Sequence, residues 1–271
     1  GGRSRRRLEG NGPPGMTAMT NRGILETAMR QSAIDLNCRA EDFSAPENRV
    51  VVSRAHPQAR KYLALPFDCN LVSYGTAIVA SVRPELQETV SAYISRFPME
   101  HCFETPALHV LDAALQPSGL QTCFMAEYFL PDLNRLEEHP CGCEVRIMGP
   151  EDFQTLYLPQ WSNALCEKRK HLDVLGAGAF RNEQLIGLAG ASADCDSMYQ
   201  IGIDVLPEHR RKGIGSALTS RLALEILKRG KVPFYCAAWS NIRSVRNAID
   251  SGFRPAWVEL TVKPAGFAVP L

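Results

Sequence analysis

Apolar and polar positions recur along this chain with two periods, and the changes between them mark its elements. Ile24, Leu25, Ala28, Ala33 and Ile34 fall at helical spacing, which predicts an amphipathic helix from Asn21 to Leu36 with Asn21 as its N-cap. Val50 to Val52 reads as a short strand, Ala64 to Phe67 as a turn with a buried aromatic, and Leu71 to Val82 as one β-rich run ending before Pro84. Pro84 and Glu85 open a helix through Phe97, a second helix covers Glu104 to Leu115, and a strand follows from Leu120 to Leu130. Pro131 to Cys143 has no apolar period and is read as a linker.

Beyond it the pattern resumes with a strand at Glu144 to Met148, a helix starting near Glu151 and another at Trp161 to Cys166. Gly176 to Phe180 and Leu185 to Ala191 flank four polar residues as a hairpin. A strand at Met198 to Val205 feeds a helix from Ile214 to Arg229, whose apolar stripe of Ile214, Leu218, Leu222 and Ile226 needs a sheet to pack on. Then come a strand from Val232 to Trp239, a helix from Ile242 to Asp250 and a last strand from Trp257 to Val262. The division read from this is a leader or tail at 1–18, an N-terminal α/β unit at 19–131, a linker at 132–143 and a C-terminal unit at 144–264.

The stretch Val205-Leu206-Pro207-Glu208-His209-Arg210-Arg211-Lys212-Gly213-Ile214-Gly215-Ser216-Ala217-Leu218 is the most informative. It joins a strand to a helix through a basic segment with two glycines. Gly213 and Gly215 let a ligand approach the main chain, and the helix start offers unpaired N–H groups and the positive end of the macrodipole. With Arg210, Arg211 and Lys212 beside it, this is a cradle for a phosphate or pyrophosphate. A Walker loop needs a lysine after its last glycine, where Ser216 stands; a dinucleotide fingerprint needs a third small residue where Leu218 stands.

The remaining pattern, Arg210-x-x-Gly213-x-Gly215 preceded by Val205-x-Pro207 and followed by a helix, a strand and Asn241-x-x-Ser244, resembles the GNAT N-acetyltransferase superfamily. The resemblance implies a mixed, mostly antiparallel sheet flanked by helices, within an α/β (α+β) chain that carries a second N-terminal α/β domain. It implies acetyl-coenzyme A as co-substrate and direct transfer to a primary amine of a small molecule, amino acid or peptide. Val205 and Leu206 would contribute backbone to the pantetheine and thioester. Arg210, Arg211, Lys212, Gly213, Ile214, Gly215 and Ser216 would line the pyrophosphate, and Asn241 and Ser244 would touch the cofactor, although Asn241 is equally the cap of the helix at Ile242.

The chain departs from the family at its catalytic positions. Ala248 stands where many members have a tyrosine, and Met198, Tyr199 and Gln200 where several have a glutamate. Asp204, Tyr199 and Tyr235 are the substitutes within reach; Asp204, between Ile203 and Val205, needs a partner. Gln160, Trp161, Asn163, Trp257 and Glu259 are expected to shape the acceptor pocket. The alternative to an enzyme is a non-catalytic module that binds acyl-coenzyme A for regulation or assembly. The order strand, proline, helix at 71–97 reads as a degenerate copy of the cofactor half, unable to hold a pyrophosphate.

Charge and cysteine content narrow the partners. With 30 basic and 29 acidic residues and a net charge of +1, nothing outside the arginine-rich start suggests a nucleic-acid footprint. No apolar run of about 18 residues suggests a membrane span. Nine scattered cysteines fit free thiols in a reducing, cytoplasmic setting, and Cys141 and Cys143 lack the further ligands a zinc site needs, so no metal is expected. A homodimer is compatible with this reading.

Overall fold

The computed structural model describes residues 19–268, so the leader expected at 1–18 lies outside the described residues. In chain order the helices are α1 (Asn21–Leu36), α2 (Gln87–Arg96), α3 (Thr105–Leu115), α4 (Pro150–Phe153), α5 (Ile214–Lys228) and α6 (Ile242–Asp250). The strands are β1 (Arg49–Val52), β2 (Cys69–Ser73), β3 (Ile78–Val82), β4 (Leu120–Pro131), β5 (Glu144–Met148), β6 (Asp173–Arg181), β7 (Gln184–Ser192), β8 (Met198–Val205), β9 (Val232–Ala237) and β10 (Phe253–Pro264).

Among the described residues these strands form a single sheet in the order β1-β3-β2-β10-β4-β9-β8-β7-β6-β5. All neighbours are antiparallel except β1 with β3 and β8 with β9. The expected mixed, mostly antiparallel sheet flanked by helices is therefore what the chain forms. Helices α5 and α6 pack on one face of its C-terminal half, around Leu218, Leu222, Tyr235 and Phe253. On the same face α2 and α3 cover the N-terminal half, while α1 lies on the opposite face against Tyr128, Phe234 and Trp257.

Several local readings change. Leu71 to Val82 is a hairpin, because Gly75 at φ 99° turns the chain between β2 and β3. The cap of α1 is Thr20, whose Oγ1 accepts from Gly23 N at 3.0 Å. Asn21 points to the linker instead: its Nδ2 donates to Asp132 Oδ1 at 3.0 Å and its Oδ1 accepts from Leu133 N at 2.9 Å.

The units expected at 19–131 and 144–264 share this sheet. Strand β10 lies between β2 and β4, and β4 lies between β10 and β9, so the sheet has no break at 132–143. The degenerate repeat also takes another course. β8, α5 and β9 form a parallel crossover, whereas the helices after β3 lead to β4, which is three antiparallel steps from β3 and runs opposite to it.

A buried ion-pair network joins the halves. Arg60 is 3% exposed; its Nε donates to Asp35 Oδ2 at 2.5 Å and its Nη2 to Glu259 Oε1 at 2.6 Å. Thus α1, the 54–66 loop and β10 are tied through one guanidinium, whose planar fork suits two carboxylates.

Candidate functional site

Strands β8 and β9 pair only at Met198↔Val232, Tyr199↔Pro233 and Gln200↔Phe234. Beyond that rung β8 stays with β7 through Val205↔Gly187, while β9 pairs with β4 at Tyr235↔Phe129, Cys236↔Tyr128 and Ala237↔Glu127. A wedge therefore opens between Ile201–Val205 and Tyr235–Ala237. Its broad end carries the loop into α5.

In that loop Leu206 N donates to Ile186 O at 2.9 Å, and Arg210 Nε donates to Val205 O at 3.0 Å, which directs Arg210 back over the strand end. Arg211 at φ 62° and Gly213 at φ 76° are left-handed, so the turn folds its basic side chains and its main chain around the start of α5. Arg210, Arg211, Lys212 and Gly213 are exposed, Ile214 is buried in the core, and the hydroxyl of half-buried Ser216 donates to Gly213 O at 3.3 Å. A Cβ at Gly213 would meet nothing within 4 Å, whereas one at Gly215 would lie 2.8 Å from Asn247 Oδ1. Gly213 thus leaves open space over the helix N-terminus, and Gly215 lets α6 approach α5. Helix α5 has 15 residues, enough to hold its N-terminal dipole in place.

Asn241 caps α6, with its Oδ1 accepting from Ser244 N at 3.3 Å. The Ser244 hydroxyl lies 2.7 Å from Tyr235 Oη, which also donates to Ser244 O at 3.0 Å. Tyr235 is 2% exposed and edge-on to Phe129, and burial raises its pKa. Its hydroxyl is thus held at the start of α6. Tyr199 packs against the α5 side of the core, level with Pro233 in the paired part of the strands.

Asp204 has the partners its position demanded, and they are mostly main chain. Its Oδ2 accepts from Asn163 N at 2.8 Å and Ala164 N at 2.9 Å, and its Oδ1 from Asn163 Nδ2 at 2.7 Å. Burial raises its pKa against the lowering effect of these donors and Arg210. The segment so held presses on the sheet: a Cβ at Gly190 would lie 1.9 Å from Ala164 O, and one at Gly202 1.8 Å from Asn163 O. The helix expected at Trp161 to Cys166 does not form: Leu165 N donates to Trp161 O at 2.9 Å, but the next N–H, that of Cys166, goes to Asp173 Oδ2 at 3.0 Å instead of back along the turn. Asp204→Ala is expected to lower folding stability by about 2 kcal/mol, read from chemical denaturation, with the loss concentrated in hydrogen-exchange protection of 161–166. Unchanged protection there would contradict this positioning role.

Of the pocket residues expected, Gln160 and Asn163 are exposed and Trp161 is buried below them. Trp257 is sandwiched between Tyr74 and Tyr128, with ring centroids at 5.3 and 4.9 Å. Glu259 Oε1 accepts from Trp257 Nε1 at 3.2 Å as well as from Arg60. Sequence reasoning missed two features on this face of the wedge. Gln200 Nε2 donates to Cys236 Sγ at 3.1 Å across the last rung, and the 54–66 loop brings Arg60 and Tyr62 from the N-terminal half. Only alternation along β8 and β9 hinted at the first; the second had no local signal.

Residues 122–256 match a family model described as GNAT acetyltransferase, a range that begins within β4 and ends within β10. Similar solved structures include a GNAT-family acetyltransferase from Novosphingobium aromaticivorans, at 18% identity and a TM-score of 0.42, covering 53% of this chain and 66% of that one. A GCN5-related N-acetyltransferase-like protein from Streptococcus suis is 20% identical with a TM-score of 0.43, covering 59% and 69%. A GCN5-related N-acetyltransferase from Kribbella flavida is 15% identical with a TM-score of 0.44, covering 58% and 65%. The chain thus spans just under two thirds of the length of the first and third. No curated protein matches it. Among the described residues, no helix is long and apolar enough to cross a membrane.

Proposed function

Because residues 122–256 match the GNAT acetyltransferase family model, we propose that the chain transfers the acetyl group of acetyl-coenzyme A directly to a primary amine bound in the same complex. The observation that carries this reading is the wedge between β8 and β9 with the basic loop and α5 N-terminus at its broad end. The pyrophosphate would rest on the main chain of Gly213 to Ser216, with Arg211 and Lys212 beside it. The pantetheine would follow the backbone of Val205 and Leu206 into the wedge. Asn241 and Ser244 would flank it from the α6 start, keeping their capping bonds.

Transfer needs a neutral amine, a donor for the developing oxyanion and a proton for the departing thiolate. Holding amine and thioester together supplies much of the barrier reduction by itself. That Tyr235 and Asp204 are spent on structural bonds favours proton transfer through water and main chain at the wedge. The same fact is the one point in favour of a non-catalytic acyl-coenzyme A module. Thiol release from acetyl-coenzyme A over a panel of amines separates the two: amine-dependent release is expected, and tight binding with no release on any amine would establish the module.

A further inference from the structure

The helix pairs α2–α3 and α5–α6 lie on the same face of the sheet, over its two halves. Between them a cavity of about 420 Å³ opens above β4, a size that suits a small molecule. Phe103, Pro106 and Leu108 wall it on the α3 side, Met125 and Val258 form its floor, and Trp239 closes it from the connection between β9 and α6.

Its charged groups are two carboxylates. Glu127 lies in the middle of the floor. Met125 and Phe129, two positions before and after it, pack into the clusters beneath α2–α3 and α5–α6, so its side chain points to this face. Opposite it on β10 and β9 stand Val258 and Ala237. A carboxylate at the centre of a sheet with apolar neighbours on four sides is costly without a cation. Among the described residues Glu127, half-buried, has neither an ion pair nor a side-chain hydrogen bond.

The other carboxylate, Glu104, is already answered. It precedes α3, whose N-terminus carries about half a positive charge, and its Oε2 lies 2.7 Å from His101 Nδ1. No lysine, arginine or histidine lines the cavity; Arg243 and Arg246 of α6 are exposed and stay outside the lining. The charge of Glu127 is therefore left over. The wall supplies a complementary feature: Trp239 is 62% exposed, more than any other large apolar side chain among the described residues. An indole face is the best aromatic partner for a cation.

We propose that this cavity is a binding site for a small organic cation with an apolar body, its ammonium held between the Glu127 carboxylate and the Trp239 face. The two carboxylates repel anions, and a neutral apolar molecule would leave Glu127 without a partner. Strand β9 separates this cavity from the wedge, and the proposal does not rest on reading the wedge as the transfer site.

The probe is benzyltrimethylammonium, which has neither an N–H nor a lone pair on nitrogen and so cannot accept an acetyl group. Titrated calorimetrically into the full chain, it is expected to bind about tenfold or more tightly than benzyl alcohol, with phenylacetate not binding. It is also expected to shield indole fluorescence from acrylamide, because Trp161 and Trp257 are buried and Trp239 is not. Glu127→Gln, which keeps the shape, is expected to weaken the cation about tenfold. Trp239→Leu, at an exposed position where folding is not at stake, is expected to weaken it about fivefold. Thermal melts followed by circular dichroism establish that both variants are folded.

No binding of the cation, or benzyl alcohol binding as tightly, would overturn the proposal. So would full affinity in folded Glu127→Gln or Trp239→Leu, since the carboxylate and the indole would then face water only.

Discussion

Gly213→Asp is expected to weaken acetyl-coenzyme A binding by more than about 100-fold, close to abolition, while the chain stays folded. The carboxylate would project into the space beside Gly213, where an added Cβ meets no heavy atom within 4 Å, and would stand where the proposed site puts the phosphates. Two like charges about 4 Å apart repel by roughly 1–4 kcal/mol between bulk-water and surface dielectrics, and a pyrophosphate presents more than one. The left-handed backbone at φ 76° adds a cost of about 1–2 kcal/mol to the folded state, small enough for a folded variant to be isolated. Calorimetry on the folded variant checks this, and undiminished affinity would remove the loop from the cofactor site. Gly215→Asp is a poorer probe than the sequence suggests. Its Cβ would lie 2.8 Å from Asn247 Oδ1, so binding and the α5–α6 contact would fail together.

The second large effect concerns β10. A chain ending at Gly252, and equally a fragment of residues 132–271, is expected not to fold. In the first, β2 and β4 lose the strand between them; in the second, β10 keeps neither partner. Trp257, Leu260 and Val262 are 6%, 2% and 2% exposed, and burying each is worth about 1.5–3 kcal/mol. Their loss, with both ladders and the Glu259 partner of Arg60, approaches the whole stability of about 5–15 kcal/mol of an ordinary domain. Circular dichroism and size-exclusion chromatography read the outcome. A soluble 132–271 fragment with a cooperative melt would mean that the two halves fold separately after all.

How much of this was legible in the sequence follows the range of each signal. Asn21–Leu36, Met198–Val205 and Ile242–Asp250 were read to the residue, because period and turn chemistry lie within or beside one element, although the cap of the first was placed one residue late. The loop at Arg210 to Ser216 was equally plain, since a strand, a proline, three cations, two glycines and an apolar helix stripe are consecutive. The hairpin at Tyr74 to Ala77 was missed because its apolar flanks hid the single Gly75, and the helix expected at 161–166 was overcalled because the Cys166 N–H that would extend it is taken by the side chain of Asp173 in the next strand.

The order of residues by itself determined the basic, glycine-containing loop at the start of α5, the helices that bury their stripes and the strands that alternate, because each depends on neighbours a few positions apart. Strand order, by contrast, was decided only in three dimensions. Nothing in Phe253 to Pro264 says that it enters between β2 and β4, since an apolar strand fits many partners and its register is chosen by the core it completes. The buried ion-pair network was decided there too. Asp35, Arg60 and Glu259 are far apart in the chain, and nothing local to any of them announces the other two. Their meaning comes from burial, which removes the water that would have made them independent and ties both carboxylates to one guanidinium.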